Sequence, residues 1–213
     1  YYTARRGSPG SNTDMLASGM VVFQEDQKRF LTMISVEVDR LIDLINDILK
    51  LSELESVAIA QGEETSDALD AANEVAAFLA PVAEKAGVAL TVSGEHVSAA
   101  IPYDRLKELL LNLMENGIKY NTPGGSVHIT IRQKKSSAVL RVADTGCGIP
   151  EEYRTSVFQP FFRVDKSRSR EMGGVGLGLA LVREIALLHG GTVTAEPADV
   201  HGTVFTVTLP IQA

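Results

Sequence analysis

Between residues 26 and 55 the apolar positions recur at helical steps. Phe30, Ile34, Val38, Leu41, Ile45, Ile48 and Leu51 fall three or four residues apart, while Asp39, Arg40, Asp43, Asn46 and Lys50 lie largely off that stripe. The spacing predicts one long amphipathic helix whose seam must be buried against something, either the core of its own chain or a helix bundle. From residue 66 the pattern alternates between helix and strand periods. Ser66 or Asp67 is placed to cap a helix running to Lys85, with Gly87 as its stop and Pro81 predicting a kink or early break. Residues 88–92 and 97–101 read as strands around a Gly94-Glu95 turn, and Asp104 as the cap of the next helix. Strands follow at 127–133 and 139–143, joined by a turn at 134–137. An apolar helix begins near Gly178, and strands at 192–195 and 203–209 flank a His201-Gly202 turn.

The linker 57–65, with Gly62 and a polar end, divides the chain into a helical segment 1–56 and a domain 66–213. Near the N-terminus, TDMLASGM reads as the tail of an earlier helix with Gly19 as a stop, and GSPGS before it as a flexible joint. Composition alters this picture little. The 213 residues are 45% hydrophobic and 22% charged, ordinary values for a soluble globular protein. A net charge of −7 argues against nonspecific nucleic-acid binding. The apolar runs are too short to span a bilayer, and no signal peptide is visible. The single cysteine, Cys147, rules out an internal disulfide and fits a reducing compartment.

The candidate chemistry lies in three stretches. In LLLNLMENGIKYNTPGG (109–125), Asn112 and Asn116 stand four apart on one helix face, with Lys119 and Tyr120 following and a Pro-Gly-Gly break after them. Carboxamide, ammonium and phenol on one helix edge suit a polyphosphate and its metal. An amide oxygen can ligate Mg²⁺ without adding negative charge beside the phosphates. In VADTGCGIP (142–150), Asp144 ends a strand and is followed by Gly146 and Gly148. A carboxylate there can accept a proton from an exocyclic amine while the glycines admit a flat ring. In GGVGLGLALVREIALLHGG (173–191), Gly174, Gly176 and Gly178 alternate and run into a helix, as an anion site requires. The spacing is not that of a dinucleotide fingerprint, and no Gly-Lys-Ser/Thr of a Walker A loop occurs.

These stretches, taken with VFQPFFRVDKSRSR, resemble the catalytic ATP-binding region of sensor histidine kinases. LLLNLMENGIKYN is similar to the N box, ADTGCGIP to the G1 box, VFQPFFRVDKSRSR to the F box and GGVGLGLALV to the G2 box, in the family's order. The resemblance covers 66–213, and residues 20–56 as the second helix of the dimerisation hairpin. It implies an α+β fold: a two-layer α/β sandwich of the histidine-kinase/topoisomerase ATPase type, preceded by an α-helical hairpin segment, with ATP held under a mobile lid. By that resemblance Asn116 ligates Mg²⁺ and Asn112 supports it. Lys119 and Tyr120 contact phosphate and nucleotide, and Asp144 bonds the adenine amino group in a pocket shaped by Gly146 and Gly148. Arg163 lies near the terminal phosphate, Gly174, Gly176 and Gly178 wrap the phosphates, and Glu108 helps arrange the attacking histidine. Cys147 is expected as a small buried side chain on the pocket floor. Phe158, Phe161 and Phe162 are expected to anchor the lid, whose residues 165–174 are expected to be weakly ordered without nucleotide.

The implied activity is phosphoryl transfer from ATP to a histidine and onward to an aspartate of a response regulator, in a homodimer formed through the helical segment. The implied setting is the cytoplasmic portion of a membrane-attached receptor. One departure stands out. The family's H box, a Ser-His-Glu-like segment followed by Pro, is absent, and all four histidines, His96, His128, His189 and His201, lie in the ATP-binding half, where structural or solvent-facing roles are expected. Three rivals therefore stay open. They are a hydrolase of the topoisomerase and MutL type using Glu108, a non-enzymatic ATP-sensing interaction module, and an anti-sigma-type serine kinase. The last typically lacks a long helix such as 26–55.

Overall fold

A computed structural model describes residues 24–56, 64–164 and 175–211. The chain divides into two compact units, Tyr1–Asn46 and Asp47–Ala213. Helix α1 (Gln24–Ser56) crosses that division. Its extent matches the helical spacing, and Leu31, Val38, Leu41, Ile42, Ile45 and Leu49 on it are exposed in the single chain. Among the described residues no helix is long and apolar enough to cross a membrane.

The rest is a two-layer sandwich, the α+β fold the resemblance implies. A mixed sheet is built from β2 (Ala89–Gly94), β4 (Ser126–Lys134), β5 (Ser137–Asp144), β6 (Thr192–Pro197) and β7 (Thr203–Pro210), in spatial order β2-β4-β5-β7-β6. Only the β2–β4 pair is parallel. Helices α2 (Ala68–Ala86), α3 (Tyr103–Lys119) and α4 (Gly178–Leu188) form the other layer, with α3 packed against both α2 and α4. Single 3₁₀ turns occur at Glu151–Tyr153 and Ser156–Phe158.

Period-two alternation sets the buried face of the sheet. Ala138, Leu140 and Val142 of β5 point into the core, as do Val127, Ile129 and Ile131 of β4 and Phe205, Val207 and Leu209 of β7. Asp144 occupies the next inward position of β5, so a carboxylate ends an otherwise apolar row. On α3 the stripe Leu106, Leu109, Leu110, Leu113, Met114 and Ile118 is buried and carries the helix onto the sheet.

Several local expectations need correction. Of the two expected caps of α2 it is Asp67 that serves, its Oδ1 accepting from the Leu69 and Asp70 N–H groups at 2.9 Å each. Ser66 opens a two-residue strand β1 (Ser66–Asp67) that pairs antiparallel with β3 (Ser98–Ala99). Thus 88–92 and 97–101 do not pair as a hairpin, because β2 runs parallel to β4 instead. Gly94, at φ +134° against the Ile131 backbone, marks where β2 leaves the sheet. Helix α2 does not break at Pro81, since both Pro81 and Ala77, whose carbonyl loses its helical donor, face solvent. Helix α3 begins after Pro102 without a side-chain cap, and Asp104 contributes instead as a first-turn acid favourable to the helix dipole.

Candidate functional site

The C-terminal half of α3 is where the candidate segments meet. Gly117 makes this possible. A Cβ there would stand 3.0 Å from Val127 Cγ2 and 3.6 Å from Asp144 Cβ, so a larger residue would have to push Val127 aside for the helix to lie this close to the end of β5. Asp144 is 8% exposed. Its Oδ1 accepts from the Gly146 N–H at 2.9 Å and the Thr203 N–H at 3.2 Å, while Oδ2 takes no hydrogen bond among the described residues. Burial pushes its pKa up, and the two backbone donors pull only partly against that. Gly146 abuts the Tyr120 carbonyl, which also accepts from the Cys147 N–H at 3.2 Å. Gly148 has φ +71° and faces the Gly202 carbonyl. This loop is therefore clamped to the end of α3 on one side and to the start of β7 on the other.

The second cluster is cationic. Burial, then the Arg163 guanidinium, lowers the Lys119 pKa, with Glu115 opposing. Burial raises the Tyr120 phenol, against the pull of Arg163. Lys119 Nζ lies 5.7 Å from the Tyr120 ring centroid. Two cations held near one another in partial burial repel unless an anion joins them. Arg163 Nη2 is buried and has no hydrogen-bond partner among the described residues. An orphaned buried donor beside a second cation fits a phosphate oxygen.

The glycine run before α4 completes the arrangement. Gly176, at φ +82°, packs on the backbone of Phe161 and Phe162 and on Arg163 Cγ, and its carbonyl accepts from the Phe161 N–H at 2.9 Å. A Cβ on Gly178 would lie 2.6 Å from Asn112 Oδ1, so α4 starts directly against the N-box helix. No side chain caps α4 and its first turn holds no acid, which leaves its leading N–H groups without an internal acceptor.

Along the exposed edge of α3, Asn112 Nδ2 donates to the Glu108 carbonyl at 2.8 Å. The Asn116 carboxamide is half-buried and makes no hydrogen bond among the described residues. The Glu108 carboxylate pairs with Arg105 at 2.9 Å.

The structure thus brings together Asn112, Lys119, Tyr120, Asp144, Gly146, Gly148, Arg163, Gly176 and Gly178, with Asn116 on the same face of α3. Gly174 and the lid stretch 165–174 lie outside the described residues. Cys147 is exposed, not a buried pocket floor, because its N–H is tied to Tyr120 and its side chain turns outward. Of the three expected lid anchors, Phe158 is buried against Phe205, and Phe162 stacks at 5.7 Å from Tyr153. Phe161 is 58% exposed at φ +63°, its N–H bonded to the Gly176 carbonyl, and anchors nothing in the core. Three of the four histidines hold local partners: His96 meets Asp67, His128 is bracketed by Thr91 and Ser93, and His189 bonds the Ile185 carbonyl, while His201 is exposed in its turn.

Sequence reasoning missed Gly117, Gly202, Thr203 and the pair Asn121 and Thr145. A lone glycine inside the N-box helix was the available signal for Gly117. Thr203 lies 59 residues from Asp144, and its contribution is a backbone N–H that no side-chain pattern reveals.

Residues 102–213 match the family model of histidine kinase-, DNA gyrase B- and HSP90-like ATPases. The circadian input-output histidine kinase CikA of Synechococcus elongatus is 32% identical over 208 residues, which are 95% of this chain and 28% of that protein. The chain spans about a third of the length of the curated relatives it matches. Among solved structures, the mycobacterial sensor histidine kinase MprB is 29% identical, with a TM-score of 0.62 over 70% of this chain and 98% of that one. Full-length ShkA in complex with AMPPNP is 25% identical, with a TM-score of 0.74 over 95% of this chain and 42% of that one. By its matched residues this chain belongs to the histidine kinase-, DNA gyrase B- and HSP90-like ATPase family.

Proposed function

We propose that this chain is the ATP-binding catalytic region of a sensor histidine kinase, acting with Mg²⁺ to transfer the γ-phosphoryl group of ATP to a histidine. The phosphoryl group then passes to an aspartate on a response regulator. One observation carries this reading: a buried carboxylate with one open oxygen and a pair of cations including an unpartnered guanidinium nitrogen both lie at the C-terminal end of α3. That is a recognition group for an amino-bearing base and one for a polyphosphate, joined by a rigid element.

The geometry supports the following roles. Asp144 Oδ2 accepts from the adenine amino group, and Gly146 and Gly148 leave room for the ring. Lys119 and Arg163 answer the phosphate charge, with Tyr120 beside them. Gly176, Gly178 and the leading N–H groups of α4 receive phosphate oxygens, and Gly174 belongs to the same loop. Asn116, whose carboxamide is uncommitted, would hold Mg²⁺, and Asn112, fixed by the Glu108 carbonyl, supports that face. The metal would supply charge neutralisation to the phosphates. In the transfer, the bond between the γ-phosphorus and the bridging oxygen breaks, a bond to imidazole nitrogen forms, ADP leaves and the imidazole proton passes to an adjacent base.

The Arg105–Glu108 pair favours this kinase reading over a hydrolase. The Glu108 carboxylate has one oxygen occupied by the guanidinium at 2.9 Å, which leaves it less open to orient an attacking water. Glu108 then serves in arranging the attacking histidine through its place on the helix edge. The acceptor is supplied by a segment bearing an H box: His96, His128 and His189 are each engaged locally, and His201 lies in the exposed turn that leads into β7. In this proposal residues 1–56 form the dimerisation segment through the apolar stripe of α1, 57–65 the linker and 66–213 the catalytic domain. The whole protein is a membrane-attached receptor with this portion in the cytoplasm and a response regulator as partner.

The decisive assay incubates the chain with γ-labelled ATP, alone and with a helical hairpin carrying an intact H box. Acid-labile label on the hairpin is expected. Free phosphate alone would favour the hydrolase, binding with neither would favour an ATP-sensing module, and no binding at all would end the proposal. For the metal assignment, Asn116→Ala is expected to remove most of the affinity that Mg²⁺ adds, about tenfold in Kd, while leaving metal-free ATP binding unchanged. Titration calorimetry in Mg²⁺ and in EDTA checks this, and an unchanged ratio between the two would remove Asn116 from the metal site.

A further inference from the structure

Asn121 follows the C-cap of α3, and its carboxamide is fully used. Nδ2 donates to the Gly117 carbonyl at 3.1 Å and the Ser126 carbonyl at 3.0 Å, while Oδ1 accepts from the Thr122 N–H at 3.0 Å and the Thr145 hydroxyl at 3.2 Å. Thr145 Oγ1 in turn accepts from the Ser126 N–H at 2.8 Å, and the Thr145 N–H donates to the Ser126 carbonyl at 3.1 Å. Gly125 leaves the space for this. A Cβ there would overlap Asn121 Oδ1 and stand 2.8 Å from Thr145 Oγ1.

This network ties the C-terminal end of α3 to the ends of β4 and β5. Helix α3 meets the end of β5 through Gly117, a contact with close approach but no side chain to interlock. Apolar contact is non-directional, whereas hydrogen bonds fix register. Tyr120 precedes Asn121, and Asp144 and Gly146 flank Thr145, so the network sits one residue from both halves of the proposed site. We propose that Asn121 and Thr145 form a bracket that holds the Asp144 carboxylate in register with Lys119 and Tyr120, and so act as positioning residues for base selection. This rests on the ATP-site reading above. Thr145 is exposed, where hydrogen bonds trade readily with water, so its main effect falls on placement rather than on fold stability.

The test compares Kd for Mg-ATP and Mg-GTP, by calorimetry on the 213-residue chain, with Tm measured alongside. The wild type is expected to prefer ATP, since guanine presents a carbonyl where adenine presents an amine. Thr145→Val, which keeps the shape and deletes the hydroxyl, is expected to weaken ATP about tenfold and leave GTP nearly unchanged. Thr145→Ser is expected to restore the preference. Asn121→Ala provides an independent second variant with the same expected loss of preference, and adding it to Thr145→Val should change little further, because both cut one network. A fall in Tm with an intact ATP-over-GTP ratio in these variants would overturn the bracket. A wild-type chain with no ATP preference would overturn the base-recognition reading itself, and the bracket with it.

Discussion

Asp144→Asn is expected to weaken ATP binding by about a hundredfold or more while leaving the fold at least as stable at neutral pH. The two effects have one source. Oδ1 of Asp144 faces two backbone donors, the N–H groups of Gly146 and Thr203. An asparagine must therefore keep its carbonyl oxygen on that side and turn its amide nitrogen outward, toward the proposed adenine amino group. Two donors then face each other. Guanine, with a carbonyl in the same place, would meet a complementary donor, so the variant should shift preference toward GTP. The stability effect runs the other way. Burial raises the pKa of Asp144 in the folded chain, so the folded state binds a proton more readily than the unfolded one. Stability from this group is present below the ordinary carboxylate range and is lost as pH rises through the elevated folded value. Above that folded value the wild type bears the cost of an ionised, buried carboxylate, and the neutral amide does not. Melting curves should place Asp144→Asn at or above the wild type at pH 7, with the gap closing as pH falls through that window. An Asp144→Asn variant with wild-type ATP affinity would remove the adenine assignment. One that melts well below the wild type at pH 7 would show that ionisation is repaid within the fold.

The legibility of this site in the sequence follows the reach of each interaction. Periodic features were readable: the α1 stripe, the Asp67-to-Gly87 helix, the inward row of β5 and the uncapped start of α4 are all local patterns. The candidate residues were readable because their chemistry sits in short segments, and their convergence on α3 followed only from resemblance. What the pattern concealed is pairing. Nothing local says that β2 would choose β4 over β3, because a parallel partner after a crossover leaves no turn signature. Phe161 reads as an anchor because aromatic residues usually bury, yet it stands exposed at φ +63° with its N–H tied to a glycine carbonyl 15 residues onward. Cys147 was assigned inward by its glycine neighbours, whereas a backbone hydrogen bond to Tyr120 decides its direction. Backbone donors such as Thr203 carry no residue-type signal at all, so the acceptor geometry of Asp144 was visible only in the fold.

Gly202 carries the second large effect, and it separates steric from conformational cost. Its φ of +103° disfavours any side chain, and a Cβ would overlap the Asp144 carbonyl oxygen, which is backbone and cannot rotate away. Gly202→Ala must therefore lift the start of β7 from the end of β5. That movement withdraws the Thr203 N–H from Asp144 Oδ1 and removes the Gly202 carbonyl from its place against Gly148. The expected cost is about 2–4 kcal/mol, from backbone strain and overpacking together. For a domain of this size that corresponds to a fall in Tm of roughly 5–12 °C. ATP binding should be lost beyond what the stability change explains, because the displaced donor is one of two that orient the recognition carboxylate. Gly124→Ala is the matching control. Gly124 also has a positive φ, of +86°, but a Cβ there meets nothing within 4 Å. It should cost about 1 kcal/mol, from conformation alone. It should also leave ATP affinity unchanged. Equal losses of Tm and of affinity in the two variants would mean that positive φ, and not the contact between β7 and Asp144, sets the requirement for glycine at position 202.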